Sequence, residues 1–157
     1  MKILVLGLGN ELLSDDGVGI LITRALKERY KGGAEIVESS LSGLSLLEIF
    51  IGYDKAIIID AVHTKTKSAG TIYELSPEDI GPVYAPSPHY TGLPELLDLA
   101  KQLDLQFPTE IKIVAMEVAD PYTIGGGLSE PVKESFEKLL DRIIFYLDKW
   151  EGPERHA

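Results

Sequence analysis

The chain has 157 residues, 45% of them apolar, with 25 acidic against 15 basic side chains and a formal charge of −10. That length fits one domain, which buries enough surface to fold without cross-links. A negative field of this size repels phosphate backbones and anionic lipid, so nucleic acid and membrane surfaces are excluded as partners, and the absence of cysteine removes disulfides, thiolate metal sites and cysteine nucleophiles together.

Lys2 to Gly7 is a short apolar run ending in glycine and reads as a buried strand. A loop follows over 8–15. Val18, Leu21, Ile22, Ala25 and Leu26 then recur at helical spacing, predicting an amphipathic helix to about Tyr30. Ala34 to Ser39 reads as a second strand and Leu44 to Phe50 as a short helix. Lys55 to Ala61 is the clearest strand, with three consecutive isoleucines that need cover on both faces, as in a parallel sheet. Gly70 to Leu75 predicts a fourth strand. The eight residues between it and the third are too few for a parallel crossover, so it should run antiparallel to its sequence neighbour.

Leu93, Leu96, Leu97, Ala100 and Leu103 mark another helix face, and Glu110 to Glu117 the last strand. Ser129 can cap a final helix with Pro131 in its first turn and an apolar face of Val132, Phe136, Leu139, Leu140, Ile143 and Ile144. The domain is expected to span 1–150, with a polar tail over 151–157. Met1-Lys2 runs straight into a strand, with no secretory layout, and no apolar run approaches the ~20 residues of a membrane span. The chain is therefore expected in the cytoplasm.

Strands alternating with helices imply a three-layer α/β/α fold with a mostly parallel twisted sheet. Ligands of such sheets sit beyond the carboxyl ends of the strands, where the strand order reverses. The loops at 8–16, 39–43, 60–69 and 117–128 should open on that edge.

Three segments carry side chains suited to chemistry there. The first, Gly7-Leu8-Gly9-Asn10-Glu11-Leu12-Leu13-Ser14-Asp15-Asp16-Gly17, has leucine at 12 where a dinucleotide-binding loop needs glycine, and two carboxylates that would repel a pyrophosphate. One aspartate is expected to cap the next helix and the other to remain available at the positive end of the helix dipole. The second is Asp60, a carboxylate ending a central strand, where loop amides or a metal must satisfy it. The third is His89 in Pro86-Ser87-Pro88-His89, just before the possible helix cap Thr91; a helix start favours the neutral, metal-ready imidazole. His63 and His156 read as surface residues. Two carboxylates and one imidazole from three loops suit a borderline divalent ion such as nickel, zinc, iron or manganese. An unfilled shell suggests a metal shared with substrate or water.

Gly7-x-Gly9-Asn10-x-Leu12-x-x-Asp15-Asp16-Gly17-x-Gly19, then Asp60-Ala61, then Ser87-Pro88-His89-x-x-Gly92-Leu93, resembles the [NiFe]-hydrogenase maturation endopeptidase family in order and spacing over nearly the whole chain. The resemblance implies a mixed five-stranded sheet between helices. It also implies an enzyme that removes a C-terminal extension from the hydrogenase large-subunit precursor after nickel insertion. Asp16, Asp60 and His89 carry over as the catalytic, metal-contacting positions. The nickel belongs to the precursor, no organic cofactor is implied, and a monomer is expected. Whether a carboxylate or a metal-bound hydroxide supplies the attacking oxygen stays open, both being chemically adequate. Many relatives carry an aspartate-glycine-glycine-threonine stretch after the second strand; Glu38-Ser39-Ser40-Leu41-Ser42-Gly43 stands here instead, which leaves the client hydrogenase open.

Two rivals come from other classes. A non-catalytic nickel-binding chaperone would use the same three ligands. A phosphoacceptor receiver domain shares the acidic pair and the strand-end aspartate, but needs a lysine where Ala115-Met116-Glu117 stands. Gly125-Gly126-Gly127 reads as a flexible linker, or as a mobile lip that admits the precursor's tail.

Overall fold

A computed structural model describes residues 1–41, 43–79 and 93–152. Its elements, in chain order, are β1 (Ile3–Leu8), α1 (Val18–Arg29), β2 (Glu35–Ser39), α2 (Leu47–Phe50), β3 (Lys55–Val62), β4 (Ile72–Leu75), α3 (Leu93–Gln102), β5 (Glu110–Glu117) and α4 (Glu130–Glu151). The strands form one sheet in the order β2-β1-β3-β5-β4. β1, β2, β3 and β5 are mutually parallel, and β4 pairs antiparallel with β5 at the edge. The fold class expected from the sequence is therefore the one found: three layers around a mixed, mostly parallel five-stranded sheet.

Period-two alternation divides the core between the two faces. Ile3, Val5, Ile57, Ile59, Val114 and Met116 face α1 and α4. Leu4, Leu6, Ala56, Ile58, Ile113 and Ala115 face Phe50 of α2 and Leu96 of α3. Burial on both faces explains the unbroken apolar runs of β1 and β3.

β4 runs opposite to β3, as expected; β5 lies between them, so the short connection fixes the strand's sense and not its neighbour. Two details differ from expectation. Leu103, assigned to the apolar face of α3, lies beyond its last turn and is exposed. The hydroxyl of Ser129 makes no cap for α4; it donates to the Asp15 carboxylate instead.

The strand order reverses between β1 and β3. From β1 the chain moves outward to β2, and the remaining strands build on the other side. α1 is seated directly on this junction. A Cβ on Gly19 would lie 2.4 Å from the Leu8 carbonyl oxygen and 2.8 Å from that of Ile59, so only glycine lets the first turn of α1 touch both strand ends. Asp16, three residues before Gly19, and Asp60, the residue after Ile59, are thereby carried to one edge.

Candidate active site at the sheet switch point

The loop after β1 is built around its own polar groups. The Asn10 side chain accepts from Leu12 N–H at 3.0 Å, and the Asn10 carbonyl accepts from Leu13 N–H at 3.1 Å. Asp16 closes the loop: its Oδ2 accepts from Asn10 N–H at 2.9 Å, and its own N–H donates to the Leu13 carbonyl at 2.9 Å. Asp16 is partly buried in a short 3-10 turn, Ser14–Gly17, that leads into α1. Neither aspartate caps α1 with its side chain; Gly17 takes the cap position, against expectation.

Asp15 has a different task. Its fully buried carboxylate accepts from Ala119 N–H (3.0 Å), Asp120 N–H (2.9 Å), Ser129 N–H (2.7 Å) and the Ser129 hydroxyl (2.7 Å). Ser14 Oγ lies 2.9 Å from the Thr123 carbonyl and 2.6 Å from that of Gly125, while Gly125 N–H donates to the Leu12 carbonyl at 2.9 Å. The loops after β1 and β5 are thus stapled together. Ser14 holds a left-handed φ of 42°, a conformation that costs a non-glycine residue energy and persists only where the surroundings fix it. The triplet Gly125-Gly126-Gly127 is part of the staple. Its φ angles of 76°, 84° and 66° form a left-handed run that glycine adopts without a Cβ clash.

Asp60 is fully buried at the C-terminal end of β3, and its Oδ1 accepts from Ala61 N–H at 2.8 Å. Alternation puts its side chain on the α2 and α3 face. The end of α3 joins the opposite edge of the sheet, where Thr109 N–H donates to the Asp54 carbonyl, so α3 runs against the parallel strands and begins near the edge that bears Asp60.

His89 lies outside the described residues. Among the described residues, no three histidine, cysteine, aspartate or glutamate side chains are grouped to hold a metal ion. The structure thus brings Asp16 and Asp60 to the same edge, and the third member of the trio belongs to the segment before α3.

Glu117, at the end of β5, carries no local sequence signal of its role, yet it is buried and satisfied. It accepts from Thr64 N–H at 2.9 Å, Lys65 N–H at 3.3 Å, the Tyr73 hydroxyl at 2.7 Å and the Thr64 hydroxyl. Burial works against its charge, but these donors outweigh it and hold the carboxyl below the ordinary glutamate value of 4.5. A carboxyl with a depressed folded-state pKa adds stability above its unfolded value and loses it as pH falls through the folded one. The melting temperature of the parent is therefore expected to fall more steeply below about pH 4.5 than that of Glu117→Gln. Parallel melting curves from pH 6 to pH 3 check this; superimposable slopes would remove Glu117 from the acid-sensitive set.

The fold and this edge define a small three-layer α/β protein with an acidic site at its strand-order reversal. Comparison with known proteins gives that class its family. Residues 20–145 match the family model described as hydrogenase maturation protease. The chain is 33% identical over 150 residues to the hydrogenase 2 maturation protease of Escherichia coli (strain K12), covering 92% of this chain and 89% of that one. Among solved structures, the hydrogenase maturating endopeptidase HybD from E. coli superposes with a TM-score of 0.83 at 31% identity, over 96% of this chain and 94% of the other. The [NiFe] hydrogenase maturation protease HybD from Thermococcus kodakarensis gives 0.73 at 25% identity, over 93% and 99%.

The chain belongs to the hydrogenase maturation protease family and is, by that membership, a peptidase. The resemblance seen in the motifs is borne out. The receiver-domain rival falls, and Glu117, bound to its own loop, stands where that rival needs a lysine.

Proposed function

We propose that this protein is the endopeptidase that removes the C-terminal extension of a [NiFe]-hydrogenase large-subunit precursor once nickel is in place, acting in the cytoplasm as a monomer. The single observation that carries the proposal is the seating of Asp16 and Asp60 on one edge at the β1–β3 reversal, in a chain of this family.

In this scheme nickel is cargo, held by the precursor's thiolates and presented to the protease. Asp16 and Asp60 supply oxygen donors and His89 an imidazole nitrogen, a set suited to a borderline divalent ion. An empty precursor offers these groups nothing to grip and stays uncut. The precursor's backbone must then lie within reach of water activated by a carboxylate base or by the substrate's metal. No organic cofactor takes part, and the negative field of the chain gives it no affinity for nucleic acid.

Mass spectrometry of a large-subunit precursor, before and after exposure to the chain and with and without nickel loaded, tests the proposal. Shortening of the nickel-loaded form alone is the expected result. A precursor that binds without being shortened would make the chain a nickel-binding chaperone. Because three protein ligands leave a nickel shell unfilled, the purified protein alone is also expected to lose nickel on dialysis against a chelator. Stoichiometric retention would contradict metal held by the substrate.

A further inference from the structure

Large apolar side chains at the surface are ordinary when scattered and informative when gathered beside a functional edge. Leu12, Tyr122 and Ile124 are 66%, 71% and 84% exposed, and all three lie on the two stapled loops that flank Asp16. The backbone of Leu12 is held beside that of Gly125, the residue after Ile124, where Gly125 N–H donates to the Leu12 carbonyl. Tyr122 extends the strip to the loop after β3, with its ring edge-on to His63 at 5.5 Å and its hydroxyl 3.3 Å from His63 Nδ1.

These side chains are presented on fixed backbone. Asp120 accepts from Tyr122 N–H and Thr123 N–H, each at 3.0 Å, and from the Thr123 hydroxyl at 2.5 Å. The nearby charges are already engaged: Asp120 in that turn, Asp15 in the staple, and Glu11 with Arg24 at 2.7 Å. Among the described residues, the apolar side chains of Leu12, Tyr122 and Ile124 are left without such partners to cover them.

We propose that Leu12, Tyr122 and Ile124 form a docking rim for the folded body of the protein substrate, which seats there while its tail reaches Asp16 and Asp60. The rim rests on the protease function proposed above and assigns a surface to its substrate. A small-molecule substrate would leave such a rim unused. A second copy of this chain on the same rim would crowd the edge through which a tail must enter. Because the contact is made by burying apolar surface, docking should depend little on ionic strength.

Steady-state processing of a nickel-loaded precursor by the full chain tests this, comparing the parent with Leu12→Ser, Ile124→Ser and the double variant. Phe145→Ser, an exposed apolar residue on α4, serves as control. The double variant is expected to raise KM about tenfold or more while kcat stays within about twofold, as loss of two buried apolar contacts implies. The parent's KM should change less than about threefold between 0.05 and 0.5 M salt. Melting temperatures should not move, since both side chains lie in solvent. A parent-like KM in the double variant overturns the rim, as does an equal rise in Phe145→Ser. A parent that sediments as a dimer dissolved by Ile124→Ser assigns the surface to a second copy and also overturns it. A parent that cuts no nickel-loaded precursor overturns the protease function itself, an outcome distinct from a parent and variants that cut equally well.

Discussion

Asp60→Asn is expected to cut processing of a nickel-loaded precursor by a factor of about 10³ or more while leaving the fold standing. The substitution keeps shape and acceptor: an asparagine Oδ1 can still receive Ala61 N–H, now at 2.8 Å. What it removes is a charge, at a position with no solvent access. With shape and that bond retained, the melting temperature is expected to stay within a few degrees of the parent's, so that the loss of processing is not a loss of fold. Asp16→Asn should behave alike, because the bond from Asn10 N–H survives the change. His89→Ala should show the same loss of processing. Rates from single-turnover assays, set beside melting curves, decide the matter. Three variants that cleave at the parent's rate would dismiss the trio.

Asp15→Ala should do the opposite, damaging the fold first and activity as a consequence. The change deletes the acceptor of four hydrogen bonds at a position with no solvent access, leaving three backbone N–H groups and a hydroxyl to find new partners. Each stranded donor costs about 1–3 kcal/mol before relaxation, so a net loss of about 3–5 kcal/mol is expected. For a domain of this size that corresponds to a fall in melting temperature on the order of 10 °C. Asp15→Asn keeps one acceptor oxygen and should fall between. A melting temperature for Asp15→Ala within about a degree of the parent would show that the staple contributes little. The two adjacent aspartates are thus told apart by experiment: one neutral variant inactive and stable, the other unstable.

The fold was legible because its signals are local. Helical spacing marked α1 and α4, and the isoleucine run of β3 announced a strand covered on both faces. The same logic put Asp16 and Asp60 on one edge, since a parallel sheet leaves few other places for a residue after β1 and a residue ending β3. What was illegible depends on partners far away in the chain. Nothing near Asp15 says that its carboxylate will be claimed by residues 104, 105 and 114 positions later, so a helix cap was the natural but mistaken reading. Ser129 does stand at the N-cap position of α4, but its hydroxyl is drawn away by that same carboxylate, a partner the local sequence does not announce. Composition likewise does not reveal the sign of φ in the glycine triplet. The burial of Glu117 is illegible locally because its donors arrive from β4 and from the loop beyond β3.

The bonds between Asp15 and residues 119–129 also bear on when the protease becomes competent. β1 and α1 are made first, but the carboxylate that holds their connecting loop finds its donors only after Ser129 has been synthesised and β5 has taken its place between β3 and β4. At elongation speeds of about 5–20 residues per second, the acidic edge waits several seconds for its final brace. A ribosome-bound fragment lacking the last quarter of the chain would carry Asp16 without the brace that joins its loop to the loop after β5. That loop is therefore braced only when translation is nearly finished.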